Sequence, residues 1–418
     1  MSGDRLRVFV NERPVEVARG ATIADAVAAF DTGLAALIAA GAYVTDGVGR
    51  PVDAADPVGE AGGVFRVIVP AGAGGDAAGR LSKATLRQWP KAELHVHLDG
   101  SLRPQTMLEL GREAGLTLPA DTPDGLRRAM LAAGSASLET YLAKYRVTLA
   151  VMQTARALER IAYEFVLDVA AESVRYVEVR YSPLLHPGLS LSEAFEAPLR
   201  GIARGSAETG TRVGVIVCAI RTLPPSRSLE LAHAAADYRG AGVVGFDLAG
   251  AERGHPARDH GGAFAYAAQH GLACTCHAGE GDGPDSIRDA LHSCGAGRIG
   301  HGTHLGEDER LLAAVVEQRV PLEMCVTSNV HTRSVASPAA HPLRRYLEQG
   351  VIVTLNTDGR LVDGVTLTDE YYLAHTVLGL SRDDLVRVTL NACESAFLPE
   401  YERVALTARI EGELEKVT

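Results

Sequence analysis

The chain is predicted to be an α/β protein, a (β/α)8 TIM barrel preceded by a small α+β domain. Three observations lead there. From residue 91 onward, strand-like runs alternate with amphipathic helical stretches, which argues for a parallel sheet. Eight such runs fall within about 330 residues, a length that suits a closed barrel with insertions. Nearly every run ends in polar, Gly-rich sequence, the end of a barrel at which active sites form. A doubly wound open sheet is the competitor. It usually carries its ligand on a glycine-rich first turn, whereas the first run here ends in HVHLDG.

Taken in order, residues 1–72 read as the small domain. RLRVFVN and VEVARG alternate as strands around Asn11-Glu12-Arg13-Pro14. ATIADAVAAF has helical spacing after a cap at Thr22, and VFRVIVP closes as a further strand. This pattern resembles the β-grasp fold of ubiquitin-like sulfur carriers, including a Gly74-Gly75 pair. A carrier needs that pair at a free C-terminus, and here the chain runs on, so a docking or structural module is the expected role. Such a domain could mediate homo-oligomer or protein contact. Residues 73–88, rich in Gly and Ala, read as the linker. Residues 89–418 hold the barrel runs AELHVHL, VRYVEVRY, TRVGVIVCAI, VVGFDLAG, LACTCHA, RIGH, PLEMCVT and VIVTLNT. The stretch ALERIAYEFVLDVAAES before the second run has clear helical periodicity.

Composition narrows the function. The chain has 418 residues, 46% hydrophobic and 22% charged, with a formal net charge of −11. No basic field is available to attract nucleic acid or an anionic membrane. No apolar run approaches the roughly 20 residues that span a bilayer. The N-terminus carries charges where a secretory signal would be apolar, so a cytoplasmic protein is expected. The six cysteines lack CxxC spacing and sit mostly in apolar runs, which predicts reduced, buried thiols.

His95 and His97, two apart on a strand, project to one face, inward in a barrel. Two inward imidazoles are costly unless paired or metallated. His277 and Asp358 stand at the ends of the fifth and eighth runs. Three neutral imidazoles and a carboxylate suit zinc, with room for a catalytic water. Glu280, three residues after His277, is either a solvated loop carboxylate or a general acid with a raised pKa. His301, between Gly300 and Gly302, would alone read as a core histidine. Gly279, Gly281 and Gly283 lack the GKS/T ending of a phosphate loop.

Six strings, KAELHVHLDGSL, DLAGAE, HAGE, RIGHG, CVTSN and NTDGRLVDGVTLTDEY, together resemble the adenosine deaminase family over roughly residues 88–418. The resemblance implies one zinc ion per chain on His95, His97, His277 and Asp358. It implies Glu280 as the acid that protonates a ring nitrogen, and His301 as the group that holds the attacking water. Asp358 would also accept a proton from that water. Asp99 would bind the ribose hydroxyl, and the Gly250 N–H would meet a purine nitrogen. The implied substrate is adenosine or a close 6-aminopurine nucleoside, released as the 6-oxo product and ammonia.

The last string departs from the family, which usually has NTDDP, its second acid hydrogen-bonded to purine N7. Here Gly359 and Arg360 follow Asp358. Arg360 could donate to N7, since a guanidinium only donates; otherwise it points to solvent or pairs with Asp363. Two alternatives stay open. One is an amidohydrolase acting on a different aminated heterocycle, and the other a non-catalytic zinc-containing binder. The zinc deaminase signature H-x-E with P-C-x-x-C is absent, as is HExxH.

Overall fold

In the computed structural model, residues 5–39, 42–47, 51–59, 62–68 and 81–417 are described. The Gly74-Gly75 pair and the first half of the expected linker, residues 73–80, lie outside them; in the remainder, Lys83–Gln88 is helical. The chain divides into two compact units, Met1–Leu86 with Tyr371–Leu385, and Arg87–Glu370 with Val386–Thr418.

The first unit contains a five-stranded sheet of β1 (Arg5–Val10), β2 (Arg13–Ala18), β3 (Tyr43–Asp46), β4 (Pro51–Val52) and β5 (Val64–Ile68), ordered β2-β1-β5-β3-β4. β1 and β2 form a hairpin whose two-residue turn, Asn11 and Glu12, has positive φ at both positions (46° and 67°). That geometry matches the twist of the flanking strands. Thr22 caps the helix Ile23–Phe30 in a reciprocal box with Asp25, as its spacing predicted. Val8, Val10, Ile23, Ala26, Val27, Val44 and Phe65 form the core.

The second unit is an eight-stranded parallel sheet in sequential order: β6 (Lys91–His97), β7 (Val174–Tyr181), β8 (Arg212–Ile220), β9 (Val243–Ala249), β10 (Ala273–Ala278), β11 (Arg298–His301), β12 (Leu322–Met324) and β13 (Val353–Leu355). With the intervening helices this is the TIM barrel expected from the alternation. The helix Ala155–Ala170 buries Leu158, Ile161, Ala162, Phe165, Val166 and Val169, the apolar stripe read from the sequence. All six cysteines are buried and free. No helix among the described residues is long and apolar enough to cross a membrane.

Two runs are shorter than expected, and VIVTLNT is a strand only over Val353–Leu355. PLEMCVT leaves the strand at Met324 and becomes the helix Val326–His331. The Glu370 carboxylate accepts from the first N–H groups, Val326 N at 2.9 Å and Thr327 N at 3.2 Å, and so fixes the helix start.

A side chain closes the seam between β13 and β6. Asn356 Oδ1 accepts from Leu94 N (2.8 Å) and His95 N (3.1 Å), while its Nδ2 donates to Thr354 Oγ1 (3.0 Å). Just beyond, His97 N donates to Asp358 O (2.7 Å) and Asp358 N to His95 O (3.1 Å). Two metal-candidate residues on the first strand are thereby registered against the one after the last. Asn356→Ala leaves two buried N–H groups of β6 unpaired. Each orphaned group costs about 1–3 kcal/mol, so the urea midpoint should fall clearly while the slope is unchanged. A midpoint equal to the parent's would show that the seam does not depend on this amide.

Candidate functional site

The residues that the sequence singled out converge at the C-terminal mouth of the barrel. One ligand atom each from His95, His97, His277 and Asp358 lies within 4.8 Å of all the others. His97 Nε2 and His277 Nε2 are 3.1 Å apart, and Asp358 Oδ1 is 3.5 Å from His95 Nε2 and 3.3 Å from His97 Nε2. His95 Nε2 is buried without a hydrogen-bond partner among the described residues. Buried nitrogens facing one another this closely are unfavourable unless something positive sits between them. A metal with bonds of about 2.0–2.1 Å fits that gap, because a tetrahedron of that radius has edges of roughly 3.4 Å.

The remaining nitrogens of two of these rings are held from below. His95 Nδ1 is 2.9 Å from Glu323 Oε2, and His277 Nδ1 is 3.0 Å from Asp247 Oδ2. Each carboxylate fixes its ring's tautomer and turns Nε2 towards the cluster. Arg180 joins the two carboxylates, donating to Asp247 Oδ2 and Glu323 Oε2 at 2.8 Å each. Arg298 donates from Nε to Glu323 Oε1 (2.6 Å) and through its terminal nitrogen to Glu178 Oε2 (2.5 Å).

Glu280, His301 and Asp358 form a second group sharing the same space. Burial pushes the Glu280 carboxyl well above the usual range, with the Asp358 and Glu252 carboxylates adding to the effect. It is a carboxyl placed to hold a proton, not a solvated loop side chain. Its Oε2 lies 3.5 Å from His301 Nε2. Burial holds His301 well below its ordinary pKa, so its ring is neutral. Asn329 presents Nδ2 to His301 Nδ1 (3.0 Å) while its Oδ1 accepts from His341 Nε2 (3.1 Å). With Nδ1 accepting, the proton of His301 resides on Nε2, facing the cluster.

His97, His277, Glu280, His301 and Asp358 border a cavity of about 390 Å³. Asp99 and Gly250 also line it. Burial raises the Asp99 carboxyl to about 7, and its Oδ1, 3.8 Å from His97 Nδ1, has no hydrogen-bond partner among the described residues. Gly250 has φ +103°, a conformation that favours glycine. The far wall is built by Leu138, Tyr141, Leu142, Tyr145 and Leu149, from the helices Leu138–Leu142 and Tyr145–Ala150.

Arg360 is not in that wall. Its guanidinium is buried in ion pairs with Glu172 and, at 3.9 Å, Glu93. Contrary to expectation, Arg360 does not border the cavity where a substrate nitrogen would lie, and it neither points to solvent nor pairs with Asp363. Two buried carboxylates attract the cation more strongly than an uncharged heterocycle would. Gly359 does not line the cavity either. Its neighbours are the hydroxyls of Tyr145 and Tyr141, 2.6 and 3.2 Å from where its Cβ would be.

Several contributing residues escaped the sequence reading. Glu252 accepts from four successive backbone N–H groups, Gly279 (2.7 Å), Glu280 (3.0 Å), Gly281 (2.6 Å) and Asp282 (3.2 Å). It shapes the loop that carries Glu280. Ser328 donates to Asp358 Oδ2 at 2.5 Å. The available signal was charge within apolar strand runs: Arg180, Asp247, Arg298 and Glu323 all needed buried partners.

Comparison with known proteins points to one family. The model of the adenosine deaminase family matches residues 90–413. An adenosine deaminase of Mycobacteroides abscessus is 42% identical over 344 residues, covering 78% of this chain and 95% of that protein. Among solved structures, an adenine deaminase from Arthrobacter aurescens is 27% identical with a TM-score of 0.72, covering 78% of this chain and 99% of that one. The Arabidopsis N6-mAMP deaminase is also 27% identical, with a TM-score of 0.70 and the same coverage.

Glu252→Ala removes the acceptor of all four amides and frees the Glu280 loop. Displacement of a reacting group by about 1 Å can cost 10²-fold, so turnover should fall by about that factor while bound metal is retained. Kinetics beside metal analysis check this, and an unchanged rate would dissociate Glu252 from the positioning of Glu280.

Proposed function

The chain belongs to the adenosine deaminase family, and on that premise we propose that it hydrolyses the 6-amino group of adenosine or a close 6-aminopurine nucleoside. The observation that carries the proposal is Glu280, a buried carboxyl with a strongly raised pKa in the wall of the cavity, beside His301 and near Asp358. Removing an amino group from an aromatic ring requires a proton on the ring nitrogen as water adds to the neighbouring carbon. A buried carboxyl raised above its ordinary range can supply it.

The three imidazoles and one carboxylate suit one zinc ion per chain, held by His95, His97, His277 and Asp358. When bound, zinc supplies Lewis acidity and lowers the pKa of water to about 7. Glu280 gives its proton to N1 as the water oxygen bonds to C6. Asp358 takes one proton of that water, and His301 Nε2–H steadies the oxygen. Asp358 then passes its proton to the amino group, the C6–N bond breaks and ammonia leaves. The remaining hydroxyl proton returns to Glu280, leaving a 6-oxo ring with N1–H. Asp99 and Gly250 line the cavity where they can contact the nucleoside.

We take the barrel, residues 89–418, as the catalytic part, with residues 1–72 as an attached module. A second reading keeps the chemistry but moves it to another aminated heterocycle; Gly359, where the family carries an acid, favours testing it.

Glu280→Gln should retain zinc and the thermal midpoint of the parent while turnover drops by about 10²–10⁴-fold, the usual share of acid–base catalysis. The parent should carry about one zinc per chain and release ammonia from a 6-aminopurine nucleoside. No ammonia from any 6-aminopurine across a panel of aminated purines and pyrimidines would refute the substrate assignment, and two tightly held ions would refute the zinc assignment.

A further inference from the structure

We propose that the Tyr145 hydroxyl, oriented by Tyr141 and Asp363, donates to a ring-nitrogen acceptor of the substrate other than the one Glu280 protonates. This rests on the reading of the site as a 6-aminopurine deaminase. It assigns N7 recognition to a phenol on the helical wall, in place of the acid that residue 359 does not supply.

The phenol has a built seat. A Cβ on Gly100 would lie 2.8 Å from the Tyr145 hydroxyl, and a Cβ on Gly359 only 2.6 Å from it. Both are closer than side-chain carbons approach other atoms, so the hydroxyl occupies room left by two glycines on separate loops. Gly359 has φ −123°, which any residue adopts, so its role here is space and not backbone freedom. An acid at this position would collide with the phenol.

Tyr145 itself borders the site. Tyr145 lines the cavity and meets the ring of His97 edge-on, with centroids 6.1 Å apart. Glu280 stands instead against His301, so the two groups approach the cluster from different members. A purine whose N1 meets Glu280 has its imidazole half left to contact another wall.

The hydrogen-bond arrangement leaves the right proton free. Asp363 Oδ2 accepts from the Tyr141 hydroxyl (2.9 Å) and from Gly359 N (3.2 Å), while Asp363 Oδ1 meets His331 Nδ1 (2.8 Å). Tyr141 is thus committed as a donor to a carboxylate. The separation between the Tyr141 and Tyr145 oxygens is 3.3 Å, long for an O–H···O bond. The Tyr145 proton is weakly held and can turn to a better acceptor. Unprotonated N7 has a lone pair and no hydrogen, so it requires a donor, which a phenol is and an ionised carboxylate is not. Tyr145 is then the specificity-determining residue, and Tyr141 and Asp363 are positioning residues.

The test is a two-by-two comparison of kcat/KM, adenosine against 7-deazaadenosine, in the parent and in Tyr145→Phe, with metal content measured for both proteins. The parent should prefer adenosine by about 10- to 100-fold, the span of one lost hydrogen bond to substrate. Tyr145→Phe should erase that preference by losing activity on adenosine alone. Tyr141→Phe should weaken it in the same direction, and Gly359→Ala should reproduce Tyr145→Phe by displacing the phenol. A parent that handles both nucleosides equally, or a Tyr145→Phe variant that keeps the full preference, overturns this inference and leaves the deaminase reading standing. A parent inactive on every 6-aminopurine overturns both. Equal losses on the two nucleosides would mark Tyr145 as structural, which also overturns it.

Discussion

The site depends on one buried cation beneath it. Arg180 on β7 bridges Asp247 on β9 and Glu323 on β12, and each of those carboxylates holds one inward histidine. Without the arginine, two ionised carboxylates would face each other in the barrel interior, and burial would drive protons onto them. A protonated carboxyl could donate to Nδ1 as well as accept from it, and the ring tautomers would no longer be fixed. Instead Asp247 and Glu323 are held well below the usual carboxylate range, although burial alone would raise them. Because Arg298 clamps Glu323 from its other side, the cation lattice spans four strands and makes the ligand geometry a property of the barrel.

Above this lattice the backbone carries strain at two positions. His301 and Asp358 both have positive φ, 63° and 62°, though neither is glycine. Such residues cost about 1–3 kcal/mol each and persist where their surroundings over-determine them. Asp358 is held through its own N–H and C=O against β6 and by Ser328 at its carboxylate. His301 is held by Asn329, which His341 holds in turn. The strain aims a ligand and a polar hydrogen across the barrel axis, where regular strand geometry would have directed them elsewhere.

Much of this was legible in the sequence, and the reason is local. Barrel strands buried on both faces read as apolar runs, and histidines within such runs stand out because burial makes them expensive. Every proposed ligand and the proposed acid could be named on that ground together with the family strings. What was not legible is pairing at long range. Arg180, Asp247 and Glu323 come from three separate runs, and nothing local shows that one cation serves two carboxylates. Arg360 finds Glu172 from the far side of the barrel sequence, so its adjacency to Asp358 misled the reading of its role. The helix after Met324 depends on Glu370, beyond any local propensity window.

Gly359 shows how far a single-position departure can be understood only in three dimensions. In the string it is a missing acid. In the fold it is a vacancy filled from another element, because Tyr145 and Tyr141 enter from the helices between β6 and β7 and bring hydroxyls to the same spot. The exchange also reaches the candidate metal-binding cluster. Asp358 directs Oδ1 to the histidines and Oδ2 to Ser328, with the Tyr141 hydroxyl 3.3 Å from that same Oδ2. The Tyr141 proton goes to Asp363, so Ser328 is the donor that satisfies the outer oxygen of Asp358. The proposed base contact and the orientation of Asp358, a candidate ligand, share one hydrogen-bonded wall, and glycine at 359 is what leaves room for that wall to form.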